Sequence, residues 1–126
     1  MKRRESFVLD KEDEEIIRLF TDLGMPKNLS KTLMYLCQVD ECRSGDVERG
    51  ADLRQPEVSV AMQELRKRGW VKKRDLKKKS KGRPVHIYEP TTDLSKVWKS
   101  LEQEKLKEIE SVKSGLSELE NIIKNR

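Results

Sequence analysis

Three features of this 126-residue chain predict a mainly α-helical fold with a small β-hairpin and a long C-terminal helix. Four short apolar stripes recur at helical spacing before residue 69, each bounded by a capping residue, a Pro or a Gly. Two short β-prone runs then flank a stretch of basic residues. From Leu94 onward apolar residues return at helical intervals, uninterrupted by Pro, almost to the end of the sequence. The expected order is helix, helix, helix, helix, strand, strand, long helix. Residues 1–90 should form one domain and residues 91–126 an appended helix.

Each element has a local reason. Asp10 is a suitable N-cap, and the acids among Lys11 to Glu15 sit favourably in the first turn of the helix dipole. Ile16, Ile17, Phe20 and Leu23 form the buried stripe of this first helix, and Gly24 stops it. Pro26 restarts the chain, and Leu29, Leu33, Leu36 and Cys37 predict a second helix over 27–38. Ser44 is the expected cap of a short third helix, 45–51, with Val47 and Ala51 inward. Pro56 suits the first turn of a fourth helix, 55–68, and Val58, Ala61, Met62 and Leu65 give it an i, i+3, i+4, i+7 stripe ended by Gly69. Residues 70–74 and 84–88 read as strands, joined by a polar, basic link, 75–83. Pro90 breaks the chain again, and Thr92 can cap the final helix, 93–124.

Composition narrows the function. Charged residues make up 40%, apolar residues 34% and aromatic residues 5%, enough for one modest core. No run approaches the ~20 apolar residues of a membrane span. The start is basic, but only Phe7-Val8-Leu9 follows before an acidic helix, which is not the pattern of a signal peptide. A cytoplasmic protein without membrane partners is expected. Cys37 and Cys42 are too few for a disulfide framework or a zinc site. Cys37 falls on the apolar face of its helix as a small hydrophobe; Cys42, in a polar loop beside Arg43, could act as a reactive thiol. His86, alone on a strand, reads as a surface imidazole. With no nucleophile motif, Gly-rich phosphate loop or metal cluster, no catalytic residue, metal or cofactor is expected, and the chain does not read as an enzyme.

The positive charge is confined to one place. Residues 1–43 carry 8 basic and 9 acidic groups, residues 44–83 carry 13 and 6, and residues 84–126 carry 7 and 8. Between Arg66 and Arg83, eleven of eighteen positions are Lys or Arg, and Asp75 is the only acid. A polyanion-binding face on an otherwise neutral scaffold accounts for this; solubility alone would not localise it.

The third and fourth helices, joined by a short turn, have the form of a helix-turn-helix, which presents the outer face of its second helix to the major groove. That face would consist of Gln55, Ser59, Val60, Gln63, Arg66 and Lys67. Gln suits the adenine edge and Arg the guanine edge. Two roles are open to Glu57, cytosine reading or service to the helix N-terminus. Lys77, Lys78, Lys79 and Lys81 would bind phosphate, and Arg83, between Gly82 and Pro84, could enter a narrow minor groove.

The run from Leu53 to Val71, LRQPEVSVAMQELRKRGWV, followed by Gly82-Arg83-Pro84-Val85-His86-Ile87-Tyr88, resembles the winged helix-turn-helix of MarR-like and TrmB-like transcriptional regulators. Leu23-Gly24-Met25-Pro26 and the helix after it resemble the entry of TrmB-type domains, so the similarity covers about residues 20–90. The resemblance implies that the fourth helix reads the major groove while the wing, 75–83, lies on the backbone. It points to Gln55, Pro56, Ser59, Gln63, Arg66 and Arg83. TrmB-type sugar sensors carry a large C-terminal effector domain, whereas only the helix 93–124 follows here. Sugar binding is therefore not implied, and no residue marks a small-molecule effector pocket.

The last helix would be about 48 Å long. Leu94, Val97, Trp98 and Leu101 begin its stripe, and from Ile109 the positions Val112, Leu116, Leu119 and Ile123 make a heptad seam. The gap between Leu101 and Ile109 resembles a stutter, with Leu106 to one side. Gly115 weakens the helix by about 1 kcal/mol relative to Ala, so a partner is expected. A homodimeric coiled coil through Leu94, Trp98, Leu101, Ile109, Val112, Leu116, Leu119 and Ile123 is one solution; folding back on the domain is the other. The sequence thus predicts a homodimeric regulator on double-stranded DNA, with half-sites about 34 Å apart. The alternatives are a protein-docking adaptor using the coiled coil and a regulator responding through Cys37 and Cys42.

Overall fold

The computed structural model describes residues 8–76 and 85–126. Its elements are α1 (Lys11–Asp22), α2 (Lys27–Val39), α3 (Ser44–Gly50), α4 (Gln55–Lys67), β1 (Val71–Leu76), β2 (Val85–Pro90) and α5 (Leu94–Lys124). This is the expected order. The chain divides into two units, residues 1–93 and 94–126.

In the first unit α2 is the element around which the others are arranged. It packs against α1, α3, α4 and β2. Leu29, Leu33, Met34, Tyr35, Leu36 and Val39 are all buried, far more than the one-sided stripe expected from Leu29, Leu33, Leu36 and Cys37. A helix covered on several sides cannot show clean amphipathic periodicity. Even its hydroxyls are inside: Ser30 Oγ donates to the Pro26 carbonyl at 3.2 Å and Thr32 Oγ1 to that of Asn28 at 2.9 Å. These bonds remove most of the cost of burying a polar group.

α1 begins with a reciprocal capping box. Asp10 Oδ1 accepts the Asp13 N–H and Asp13 Oδ2 accepts the Asp10 N–H, both at 2.9 Å. The other Asp13 oxygen accepts from Gln38 Nε2 at 2.7 Å, tying α1 to α2. Asp13 is buried, and that desolvation pushes its carboxyl above the usual carboxylate range. At the far end Gly24, with φ of 105°, takes the left-handed conformation that lets the Met25 N–H reach the Phe20 carbonyl at 3.0 Å.

The cap of α3 differs from expectation. The capping position is Arg43 rather than Ser44, because Asp46 in the first turn reaches back to accept the Arg43 N–H at 2.9 Å. A carboxylate at the third position satisfies a free helix-end donor without help from the capping residue itself. Val47 and Ala51 point inward as expected.

The strands lie slightly further along than expected, residues 71–76 and 85–90 instead of 70–74 and 84–88. They pair antiparallel, Val71 opposite Pro90 and Leu76 opposite Val85. The extra rungs are held by side chains: Asp75 Oδ1 meets His86 Nδ1 at 2.6 Å across the ladder. A two-stranded hairpin is marginal alone. Here it is fixed to the helical body by Cys42, whose N–H and C=O pair with Tyr88 at 3.0 and 2.8 Å. A one-residue bridge leaves no alternating pattern, which is why the sequence does not announce it. Thr91 closes the base, its N–H on the Trp70 carbonyl at 2.8 Å and its hydroxyl on that of Gly69.

α5, the second unit, runs 31 residues. Val97 and Leu101 are buried, while Leu106, Ile109, Val112, Leu116, Leu119, Ile122 and Ile123 are exposed.

Asp52, in the turn between α3 and α4, has φ of 56°. It allows the Leu53 N–H to reach the Glu48 carbonyl at 3.0 Å. Asp tolerates this region better than a β-branched residue. Asp52→Val should therefore lower the unfolding free energy by about 1–2 kcal/mol in urea titrations, and Asp52→Gly should retain full stability.

Candidate nucleic-acid interface

Four apolar side chains determine which way α4 faces. Val58, Ala61, Met62 and Leu65 are buried where α4 packs against α2, α3 and β1. At about 100° per residue this leaves Pro56, Val60, Gln63 and Lys67 on the side opposite the core, with Gln55, Ser59 and Arg66 along one flank. All seven are exposed, so the structure brings the expected α4 residues together on one open surface.

Glu57 and Glu64 occupy the other flank, and both are engaged. Glu57 Oε1 accepts the Arg54 N–H at 2.8 Å, and Oε2 lies 3.3 Å from the Arg54 guanidinium. The backbone bond first, then the guanidinium, hold its carboxyl below the usual range. Of the two roles open to Glu57, the structure shows the one at the helix N-terminus. Glu64 accepts from Arg68 Nε at 3.0 Å, and the Arg68 guanidinium also lies 5.2 Å from the centre of the Trp70 ring. No described carboxylate pairs with Arg66 or Lys67. Among the described residues, Arg66 and Lys67 thus have no carboxylate partner, while Glu57 and Glu64 are engaged.

Beside it stands the hairpin. Lys77, Lys78, Lys79, Lys81 and Arg83 lie outside the described residues. At the described base the charge is smaller than the sequence suggests. Arg74 binds Glu41 at 2.8 Å and approaches Glu89 at 3.6 Å, and Lys72 lies 3.7 Å from Glu89. Glu41 and Glu89 are distant in sequence from the basic run, so counting charges along the chain does not reveal this pairing. His86 is exposed, as expected, and has Asp75 for a partner.

One feature escaped the sequence altogether. A groove runs between the start of α2 and α4, with Pro26, Leu29, Pro56, Val60 and Ala61 as its apolar lining and Lys27, Asn28, Glu57 and Glu64 as its polar one. Spacing within either helix gives no sign of it, because the two contribute from positions some thirty residues apart.

Cys42 requires a correction. It is not in an open polar loop; its residue is 3% exposed and its backbone is locked to Tyr88. Burial, more than the neighbouring Asp46 and Glu41, pushes the thiol up to about 12. Cys37 is half-buried, and burial raises its thiol to about 11. Burial of both thiols disfavours the thiolate near neutral pH.

Of the residues expected at a dimer seam, Ile109, Val112, Leu116, Leu119, Ile123 and Trp98 are exposed, whereas Leu94 is half-buried and Leu101 is buried. Leu101 thus offers little free surface. Among the described residues no group of three or more His, Cys, Asp or Glu is placed to hold a metal ion, and no helix is long and apolar enough to cross a membrane.

The chain is similar to NadR, solved in complex with 4-hydroxyphenylacetate, with a TM-score of 0.51 and 15% identity over 98% of this chain and 95% of that one. It is also similar to a transcriptional regulator homologue from Pyrococcus horikoshii OT3, at a TM-score of 0.46 and 21% identity, covering 83% and 97%. A third is MepR of S. aureus, solved with DNA, at 0.47 and 16% identity, covering 86% and 87%. No family model and no curated protein matches the chain. The fold is a winged helix-turn-helix, with α3 and α4 as its paired helices, β1 and β2 as its wing and α5 as its C-terminal extension.

With a thiol pKa of about 12, Cys42 should react with iodoacetamide at pH 8 roughly three orders of magnitude more slowly than a free thiol. Mass spectrometry should find it unmodified in native protein and labelled after denaturation; rapid native labelling would contradict the burial described above.

Proposed function

We propose that this chain is a sequence-specific double-stranded DNA-binding transcriptional regulator, acting in the cytoplasm as a homodimer and without catalytic activity. The observation that carries this reading is the open polar face of α4, where no described carboxylate pairs with Arg66 or Lys67, followed in sequence by the most basic segment of the chain. On this reading residues 1–90 form the DNA-binding domain. α4 enters the major groove. Gln55 and Gln63 bond adenine edges, Arg66 bonds guanine, and Ser59 approaches phosphate or base. Lys67, Lys77, Lys78, Lys79 and Lys81 neutralise phosphates, and Arg83 enters the minor groove.

Residues 91–126 form the dimerisation helix. Seven large apolar side chains between Leu106 and Ile123 are exposed on α5. A helix of this kind gains most of its stability from packing its apolar seam, and a second copy supplies an identical seam. Two α4 helices then face a pseudo-palindromic site.

Changing Lys77, Lys78, Lys79 and Lys81 together to Ala should weaken binding to every duplex and reduce the slope of log K against log salt by up to about 3.6, at about 0.9 per phosphate contact. An unchanged slope would remove the wing from the interface. Gln63→Ala and Arg66→Ala should instead shift the sequences recovered from a random duplex pool, each relaxing one position by about 1–3 kcal/mol. Identical recovered sequences for both variants would exclude α4 as the reading helix. Leu116→Asp should convert a dimer to a monomer in sedimentation equilibrium; a persisting dimer would refute the α5 seam.

A further inference from the structure

Val60 is an odd side chain for the place it occupies. It lies opposite the core of α4, 66% exposed, with Pro56 one turn before it and Gln63 and Lys67 after it. A single exposed hydrophobe needs no explanation by itself. This one lines a groove with Pro26, Leu29, Pro56 and Ala61, whose lining also includes Lys27, Glu57 and Glu64. The nearby carboxylates, Glu57 and Glu64, are engaged by Arg54 and Arg68 on the flank away from Gln55, Ser59 and Arg66. The outward side chain at this point of the helix is itself apolar.

We propose that Val60, backed by Pro56, receives the 5-methyl group of a thymine in the major groove and so selects T·A over C·G at one position of each half-site. The inference rests on the reading of α4 as the groove helix. The 5-methyl is the apolar group on the major-groove edge of a base pair, and it is met by apolar side-chain atoms. Charge favours this occupant over an apolar protein segment. Lys67, two turns after Val60 and without a carboxylate partner among the described residues, lies on the same outward side, and a duplex brings the phosphates to meet it.

The test isolates the methyl group. The tightest-binding duplex recovered from a random pool is synthesised with each thymine replaced in turn by deoxyuridine, which removes the methyl and keeps every hydrogen-bonding group. Affinities are measured for the full chain and for Val60→Ala, whose fold is checked by circular dichroism. At one thymine per half-site, deoxyuridine should weaken the unaltered chain about three- to tenfold. Val60→Ala should bind the thymine duplex more weakly and show a smaller further loss with deoxyuridine there than the unaltered chain. Equal losses in both proteins at every position, or no loss anywhere, overturns the assignment while leaving α4 in the groove. Absence of salt-dependent duplex binding by the unaltered chain overturns the groove-helix reading itself, and this inference with it. If Val60→Ala does not fold, Val60→Thr, which keeps one methyl, replaces it and should retain part of the deoxyuridine effect; an undiminished effect also overturns the assignment.

Discussion

Burial of α2 from several directions is the constraint on which the first unit depends. α1, α3, α4 and β2 each contact it, and its side chains from Leu33 to Leu36 have no accessible surface. A core this small has little redundancy, since removing a single large side chain from such a site costs about 2–5 kcal/mol of the roughly 5–15 that a domain possesses. The orientation of the candidate interface is a by-product of that packing. Once Val58, Ala61, Met62 and Leu65 are buried, the rotation of α4 about its axis is set, and Gln63, Arg66 and Lys67 face outward without needing contacts of their own. Functional side chains supported in this way can change without loss of the fold.

The hairpin is positioned by a different device. Its attachment to the helices runs through the two backbone bonds between Cys42 and Tyr88, assisted by burial of Val71 and Ile87. Cys42 is buried at this attachment, and its surroundings exclude the water that an ionised sulfur would require. The residue matters for where its backbone lies.

Much of this was legible in the amino-acid order, and the failures have identifiable physical causes. α4 was readable because one face alone is buried, giving Val58, Ala61, Met62 and Leu65 an uninterrupted helical period. α2 was readable as a helix but not as the centre, since Met34 and Tyr35 fall off the single stripe that periodicity rewards. The Arg43 cap was missed because the capping work is done by Asp46, three residues later. Cys42 was misplaced because a one-residue bridge has no pattern, and a polar neighbourhood in sequence says nothing of what folds over it. At the candidate interface, the α4 residues followed from the pattern, whereas the groove beside Val60 and the pairing of Arg74 with Glu41 arise between segments that meet only in three dimensions.

That last pairing has a consequence for ionic strength. Arg74 and Glu41 are partly exposed, 33 residues apart in sequence, and join the base of the wing to the segment after α2. Exposed pairs of this kind contribute about 0–1 kcal/mol and weaken as mobile ions accumulate around them. Added electrolyte thus acts twice, shielding any bound polyanion and loosening a strut inside the protein. A titration with salt measures the sum of the two, and the internal share is the part that survives when no polyanion is present.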